Sequence, residues 1–381
     1  MPNIYIKNGA VILQDKILHG YTISIKGPRI ISINKNAKPS RGALTIDAKG
    51  AFVSPGFIDC HIHGEPEKIF LNEARHGTTA FVIAQSCAPL DAICKDAASV
   101  VEFIKSNILG PNVLGLRLEG PYINKERAGA QDKRYIRPPD ARELSEILHR
   151  CGGLLKIVTL APEAKGATPL IKLLRKRGAL ASIGHSDATY EEALEGIDAG
   201  ITHATHTFNA MSALDRREPG VIGAVLLDDR VTAEVILDLV HVHSALFGLL
   251  VKVKKKHNVI IVTDSLAALE KNRDSPIQRG IDALGQSLFF KEGGAYRFSD
   301  GRLAGSCLTM IGALKNAVTR CNMALPDALK LITINPARLL GVDDRKGSLK
   351  AGKDADIVVF DKNFDVKMTM IRGRIAFRSS T

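Results

Sequence analysis

Apolar and polar positions change rhythm twice along the chain. Over the first fifty residues, apolar and polar residues alternate in "NIYIKNGAVI", "YTISIKGPRIISI" and "GALTIDAKGAFV", with Gly and Pro at the breaks. A period of two marks strands with one buried face. The C-terminal stretch "GSLKAGKDADIVVFDKNFDVKMTMIRGRIAF" repeats that rhythm. The two ends are therefore expected to meet in one small β-sandwich domain of residues 1–53 and 344–381, leaving 54–343 as a second domain.

Between the ends, short apolar runs alternate with longer amphipathic segments. The runs are 57–60, 78–84, 112–118, 155–160, 180–184, 201–205, 232–237 and 259–263. Each is followed by a stretch long enough for a helix, such as "DARELSEILHRC" or "TYEEALEGIDAG". Eight such units predict an α/β fold, a (β/α)8 TIM-type barrel carrying the β-sandwich domain formed from both chain termini.

Charge changes this picture little. The 381 residues carry a formal charge of +12, but Lys and Arg are scattered. The densest runs, "LLRKRG" at 173–178 and "VKVKKKH" at 251–257, read as polar ends of helices. No aromatic ladder accompanies them, so nucleic acid is not an expected partner. The most apolar long stretch, 231–253, contains Glu234, Asp238, His241 and His243, which argues against a membrane span. The six cysteines form no CxxC pair and the N-terminus is no signal peptide, so reduced thiols and a cytoplasmic location are expected.

Chemistry gathers at the ends of the runs. In "PGFIDCHIHG", His61 and His63 stand two apart and so point to one side of a strand. Other runs end in "LEGPY" with Glu119, "IGHSDA" with His185, "ATHTFNAM" with His206 and "VTDS" with Asp264. Barrel active sites lie at the C-terminal ends of the strands. Nitrogen and carboxylate ligands converging there suit zinc or ferrous iron. His203 is expected to be a packed neighbour, and His19, His76, His149, His243 and His257 to be ordinary.

Nearly the whole chain resembles the amidohydrolase superfamily and, within it, the N-acetylglucosamine-6-phosphate deacetylases. The blocks that carry the resemblance, in the family's order, are "PGFIDCHIHG", "LEGPYIN", "GHSDATY", "THTFNAM", "RREPG", "VTDS", "GRLAGSCLTM" and "GSLKAGKDADIVVFD". The resemblance implies hydrolysis of the N-acetyl amide of an amino sugar 6-phosphate, giving acetate and the free amine. It implies Glu119, His185 and His206 as ligands of a main metal, and His61 and His63 as ligands of a second. One or two divalent ions, zinc or iron, are thus expected per chain. Asp264 is implied as the catalytic carboxylate. Asn209, Ala210, His241, Leu303, Ala304 and Gly305 match substrate-contacting positions. Arg217 matches an arginine that reaches the sugar phosphate from a neighbouring subunit, which implies a homodimer.

Three stretches depart from the family. The segment "HIHGEPEKIFLNEARHGTT" is short. The family's GAH after the third-strand loop is "GAQ" here, which puts Ala130 and Gln131 at substrate-contacting positions without a titratable ring. The family's ADG before the substrate histidine is "LDL". These leave room for another amidohydrolase, acting on a different N-acyl or cyclic amide. A catalytically silent barrel would be free to lose ligands, and none is lost.

Overall fold

The eight apolar runs form eight strands, β1 to β8: Phe57–His63, Thr78–Gln85, Asn112–Glu119, Leu155–Leu160, Leu180–Ile183, Ile201–Ala204, Thr232–Ile236 and Val259–Val262. They lie parallel and in chain order in one sheet. The structure, a computed structural model, describes residues 3–35, 37–106, 112–266, 279–281, 287–291, 294–298 and 300–380. Met1, Pro2 and Thr381, at the edges of the expected sandwich domain, lie outside the described residues.

The strands are buried on both faces, which is why they read as unbroken apolar runs rather than as alternations. The sheet closes where the chain passes β8. The Asp264 N–H donates to the His61 carbonyl (2.8 Å) and the His63 N–H to the Ser265 carbonyl (3.0 Å). The barrel seam thus runs through candidate ligand positions.

Helices cover the outside with ordinary start and stop signals. Tyr190–Ala199 opens with a Thr189/Glu192 capping box. Asp140 caps Ala141–Arg150 through the N–H groups of Arg142 and Glu143. The first basic run is the last turn of Ala167–Arg177, closed by Gly178 in a left-handed conformation (φ 72°). The second lies at the end of Ser244–Val253 and in the short 3-10 turn Lys256–Asn258.

Both termini contribute to one six-stranded sheet. Arg374–Arg378, Val366–Ile371 and Ile357–Phe360 from the C-terminus continue into Phe52–Pro55, Ala10–Ile12 and Ile17–Leu18 from the N-terminus. A four-stranded sheet of Arg29–Lys35, Tyr21–Lys26, Ile4–Lys7 and Leu44–Asp47 accompanies it. Ile6, Val11, Ile23, Ile25, Val53, Ile357 and Met370 belong to a common core separate from that of the barrel. In the first barrel unit, β1 is followed by the eight-residue helix Pro66–Glu73, in keeping with the short segment noted in the sequence.

One expectation is corrected. Among the described residues, β8 is followed by strands rather than directly by a helix. Four antiparallel strands, Arg279–Ile281, Ser287–Lys291, Ala295–Phe298 and Leu303–Ser306, come before helix Met310–Thr319. Gly294 and Gly301, at φ 91° and 86°, take the left-handed conformations that turns beside such short strands need. The last strand docks on the barrel mouth through Ser306 N–H to the Asp264 carbonyl and Leu266 N–H to the Ser306 carbonyl, both 2.9 Å.

Candidate metal centre

His61 and His63 occupy β1, both buried and facing inward as their spacing demands. Glu119 is the last residue of β3. His185, His206 and Asp264 each stand two residues beyond a strand end, at φ 48°, 31° and 48°. Positive φ is unfavourable for residues other than Gly, and strain of this kind collects at functional sites. Here it turns each side chain from the strand line into the barrel mouth.

The ligand atoms form two groups that share Glu119: His61, His63, Glu119 and Asp264 in one, Glu119, His185 and His206 in the other. On one side, Glu119 Oε1 lies 3.2 Å from His185 Nε2 and 2.9 Å from His206 Nε2, and those two nitrogens are 3.1 Å apart. On the other, His63 Nε2 is 3.4 Å from Glu119 Oε2 and 3.1 Å from Asp264 Oδ1. His61 Nε2 is 3.3 Å from Asp264 Oδ1. Two ligands about 2.0–2.1 Å from one tetrahedral zinc stand roughly 3.3 Å apart, so both groups have the spacing of a cation's ligands.

Hydrogen bonds on the far side of the rings set which nitrogen is free. His185 Nδ1 lies 2.8 Å from the Arg127 carbonyl, which can only accept, so this nitrogen carries the proton and Nε2 keeps its lone pair. His61 Nδ1 lies 2.6 Å from Glu234 Oε1. Buried His61 Nε2 has no hydrogen-bond partner among the described residues, as befits an atom reserved for a metal. The donor set therefore fits one or two divalent ions.

Electrostatics makes the same demand for positive charge. Burial and the Arg117 charge pull the His61 imidazole down, but Asp264, Glu234 and Glu119 outweigh them and push it up to about 10. Burial pushes Glu119 up, yet the His61 charge and the surrounding imidazoles hold its carboxyl well below the usual range. His61 thus takes up a second proton where no cation stands beside it, so metal binding there must release a proton.

A cavity of about 910 Å³ opens over the cluster. Ala130, Gln131, Asn209, Ala210, His241, Leu303, Ala304 and Gly305 all line it, as do His63, Glu119, His185, His206 and Asp264. Gly305 sits at φ 153°, where an added Cβ would come within 2.9 Å of Leu266 Cγ, so close packing there requires glycine. Gln131 is held at both ends: Oε1 accepts the Cys87 N–H (2.7 Å) and Nε2 donates to Glu119 Oε2 (2.8 Å). His241 Nδ1 bonds Asp238 Oδ2 at 2.6 Å. Leu239, where the family has glycine, is held at φ 67°, a conformation glycine takes more easily. Arg217 is exposed and does not line the cavity.

A model of the amidohydrolase family matches residues 52–376. The chain belongs to the amidohydrolase family. An N-acetylglucosamine-6-phosphate deacetylase of Bacillus subtilis is 33% identical to it over 99% of this chain and 98% of its own. An N-acetylgalactosamine-6-phosphate deacetylase of Escherichia coli O157:H7 is 32% identical over 84% of this chain and 87% of its own. The crystal structure of N-acetylglucosamine-6-phosphate deacetylase from Pasteurella multocida superposes with a TM-score of 0.89 at 28% identity, covering 99% of this chain and all of its own. The family resemblance carried by the sequence blocks is borne out. Among the described residues of this amidohydrolase, no helix is long and apolar enough to cross a membrane.

Two buried residues of the centre escaped sequence reasoning. Arg117 and Glu234 are wholly enclosed and bond each other at 2.7 Å. The signal was present: each is a lone charge inside an apolar strand run, "VLGLRL" and "TAEVIL". A charge buried there needs a partner. His203, expected as a packed neighbour, is buried and bonds Glu234 Oε2 at 2.9 Å.

Proposed function

We propose that this amidohydrolase hydrolyses the N-acetyl amide of an amino sugar 6-phosphate, N-acetylglucosamine 6-phosphate foremost, using one or two zinc or iron ions. The observation that carries the reading is the pair of ligand groups joined at Glu119 beneath the cavity. Glu119, His185 and His206 would hold one ion, and His61 and His63, with Glu119, a second. Such an ion supplies Lewis acidity, lowering the pKa of a water from 15.7 to about 7 and polarising a carbonyl.

The chain's own groups do the rest. Asp264 takes the proton of the attacking water and returns it to the departing nitrogen. Gln131 has two N–H donors and gives one to Glu119; the other is left to donate to the substrate carbonyl oxygen. The Asp238 bond orients the His241 ring for the sugar. Asn209, Ala210, Leu303, Ala304 and Gly305 shape the remaining walls. The same reading treats residues 1–53 with 344–381 as one domain and 54–343 as the other, and places the protein in the cytoplasm. None of the six cysteines is in a disulfide, in keeping with that location.

Arg217 belongs to this reading as a phosphate clamp supplied across a homodimer. Leu246, Leu249 and Val253 stand exposed along helix Ser244–Val253, and Leu214 and Leu227 are exposed on neighbouring segments. Exposed apolar side chains along these segments suit a subunit interface. Arg217→Ala should cost about 1.5–3 kcal/mol, on the order of tenfold or more in kcat/KM, for a phosphorylated substrate. It should leave an unphosphorylated one nearly unchanged, and equal losses on both would refute the phosphate role.

The Escherichia coli relative bears the name of the galactosamine epimer, so the 4-hydroxyl configuration is a second reading of the substrate. Assaying acetate release from N-acetylated hexosamines with and without the 6-phosphate, before and after chelation, tests both readings. Turnover indifferent to chelator, or no preference for the phosphate, would sink the proposal.

A further inference from the structure

Glu234 stands at the middle of a polar network inside the barrel, below the ligand atoms. Its carboxylate is wholly buried and takes four donors. Oε1 receives His61 Nδ1 at 2.6 Å and the His206 backbone N–H at 3.3 Å. Oε2 receives Arg117 Nη1 at 2.7 Å and His203 Nε2 at 2.9 Å. Arg117 in turn bonds the Cys60 carbonyl at 3.1 Å and Thr205 Oγ1 at 3.0 Å. One carboxylate thus ties β1, β3, the end of β6 and β7 together, and it touches the imidazole of one proposed ligand and the backbone of another.

We propose that Glu234 is the positioning residue of the metal centre, holding His61 in the tautomer and orientation that let Nε2 ligate. The inference rests on the metal dependence argued above. A carboxylate accepts only, so the His61 proton stays on Nδ1 and the lone pair of Nε2 faces Asp264 and Glu119. The other ligand group depends on Glu234 less, because the His185 ring is held by the Arg127 carbonyl and Glu234 meets His206 only at its backbone N–H, at 3.3 Å. Arg117 balances the charge that Glu234 would otherwise carry alone into the interior.

Glutamine at 234 makes a specific failure. Arg117 offers only donors, so it draws the amide oxygen to itself and turns the NH2 group toward His61. His61 must then accept on Nδ1 and carry its proton on Nε2, which blocks the ligand position. The Glu234→Gln protein should therefore bind the ion on the His61/His63 side about 10–100-fold more weakly, while the Glu119/His185/His206 side is kept. A second variant, Arg117→Met with Glu234→Leu, removes the buried charge pair and so protects the fold, yet leaves His61 Nδ1 with no acceptor. It should show the same selective loss.

The experiment is zinc titration of metal-stripped wild type and both variants, with bound zinc counted by elemental analysis and melting temperature recorded. ¹⁵N shifts of the zinc-loaded protein report which His61 nitrogen carries the proton. Weaker or missing zinc in variants that melt like wild type, with the proton moved from Nδ1, supports the proposal. Equal zinc number and affinity in wild type and in the folded double variant overturns it, whether one ion binds or two. Wild type that takes up no zinc or iron overturns the metal reading itself, and this inference with it.

Discussion

Asp264→Asn is expected to keep its fold and its metal and to lose about 10²–10⁴-fold in kcat, the range of a removed general acid–base. Asparagine has nearly the shape of aspartate but cannot accept and return a proton at neutral pH. The backbone should tolerate it, because φ at this position is 48° and asparagine visits the left-handed region readily. The aspartate itself is available as a base. Burial pushes its carboxyl up, but the His61 charge and the His63 hydrogen bond bring it down to about 2.

Two duller roles make different predictions for the same variant. If Asp264 only braced the strand end, the loss would appear in the melting temperature. That bracing is done by its backbone, however: the N–H bonds the His61 carbonyl and the carbonyl accepts from Ser306. If the side chain served only as a ligand, metal would fall and excess metal would restore the rate. Oδ1 lies 3.1 Å from His63 Nε2, so the ligand role is a real competitor. Melting temperature, metal content and kcat on one purified variant separate the three, and near wild-type turnover would remove Asp264 from the mechanism.

The barrel was legible because strands buried on both faces leave unbroken apolar runs, and eight of these can be counted. The ends of the runs were less so, for a physical reason. β1 stops at Cys60 on an apolar criterion but continues through His63, since the residues that face into the mouth are ligands rather than hydrocarbon. Arg117 and Glu234 cannot be paired from the sequence because they lie on β3 and β7, and only the closed barrel brings them within 2.7 Å. The antiparallel insert before Met310 does not stand apart from the last barrel unit in the sequence, since its signals are short and local. The candidate ligands could be gathered in advance because each follows a strand, and a barrel brings all C-terminal strand ends to one rim.

Glu119 is where the largest loss is expected, because it is the one carboxylate common to both ligand groups. Glu119→Gln should abolish tight binding at both and reduce turnover further than Asp264→Asn does. With the charge gone, His185 and His206 remain on one side as two neutral nitrogens, too few for a site that closes with four ligands or three and a water. The other side loses the oxygen 3.4 Å from His63 Nε2 and is likewise left with two nitrogens, His61 and His63, since Asp264 serves the proton transfer. The fold should survive, since an amide costs less to bury than a carboxylate. Gln131 Nε2 can still donate to the amide oxygen of the new side chain, as it does to Glu119 Oε2 at 2.8 Å. Thermal melts read the difference cleanly. An ion that binds only the native state stabilises it by about 2.7 kcal/mol at a hundred times its Kd. Added zinc should therefore raise the melting temperature of stripped wild type and leave that of Glu119→Gln where it was. A variant whose melting temperature still climbs with zinc as the wild type's does would mean that the ions are held without this carboxylate. The two groups would then be independent sites rather than one centre built around Glu119.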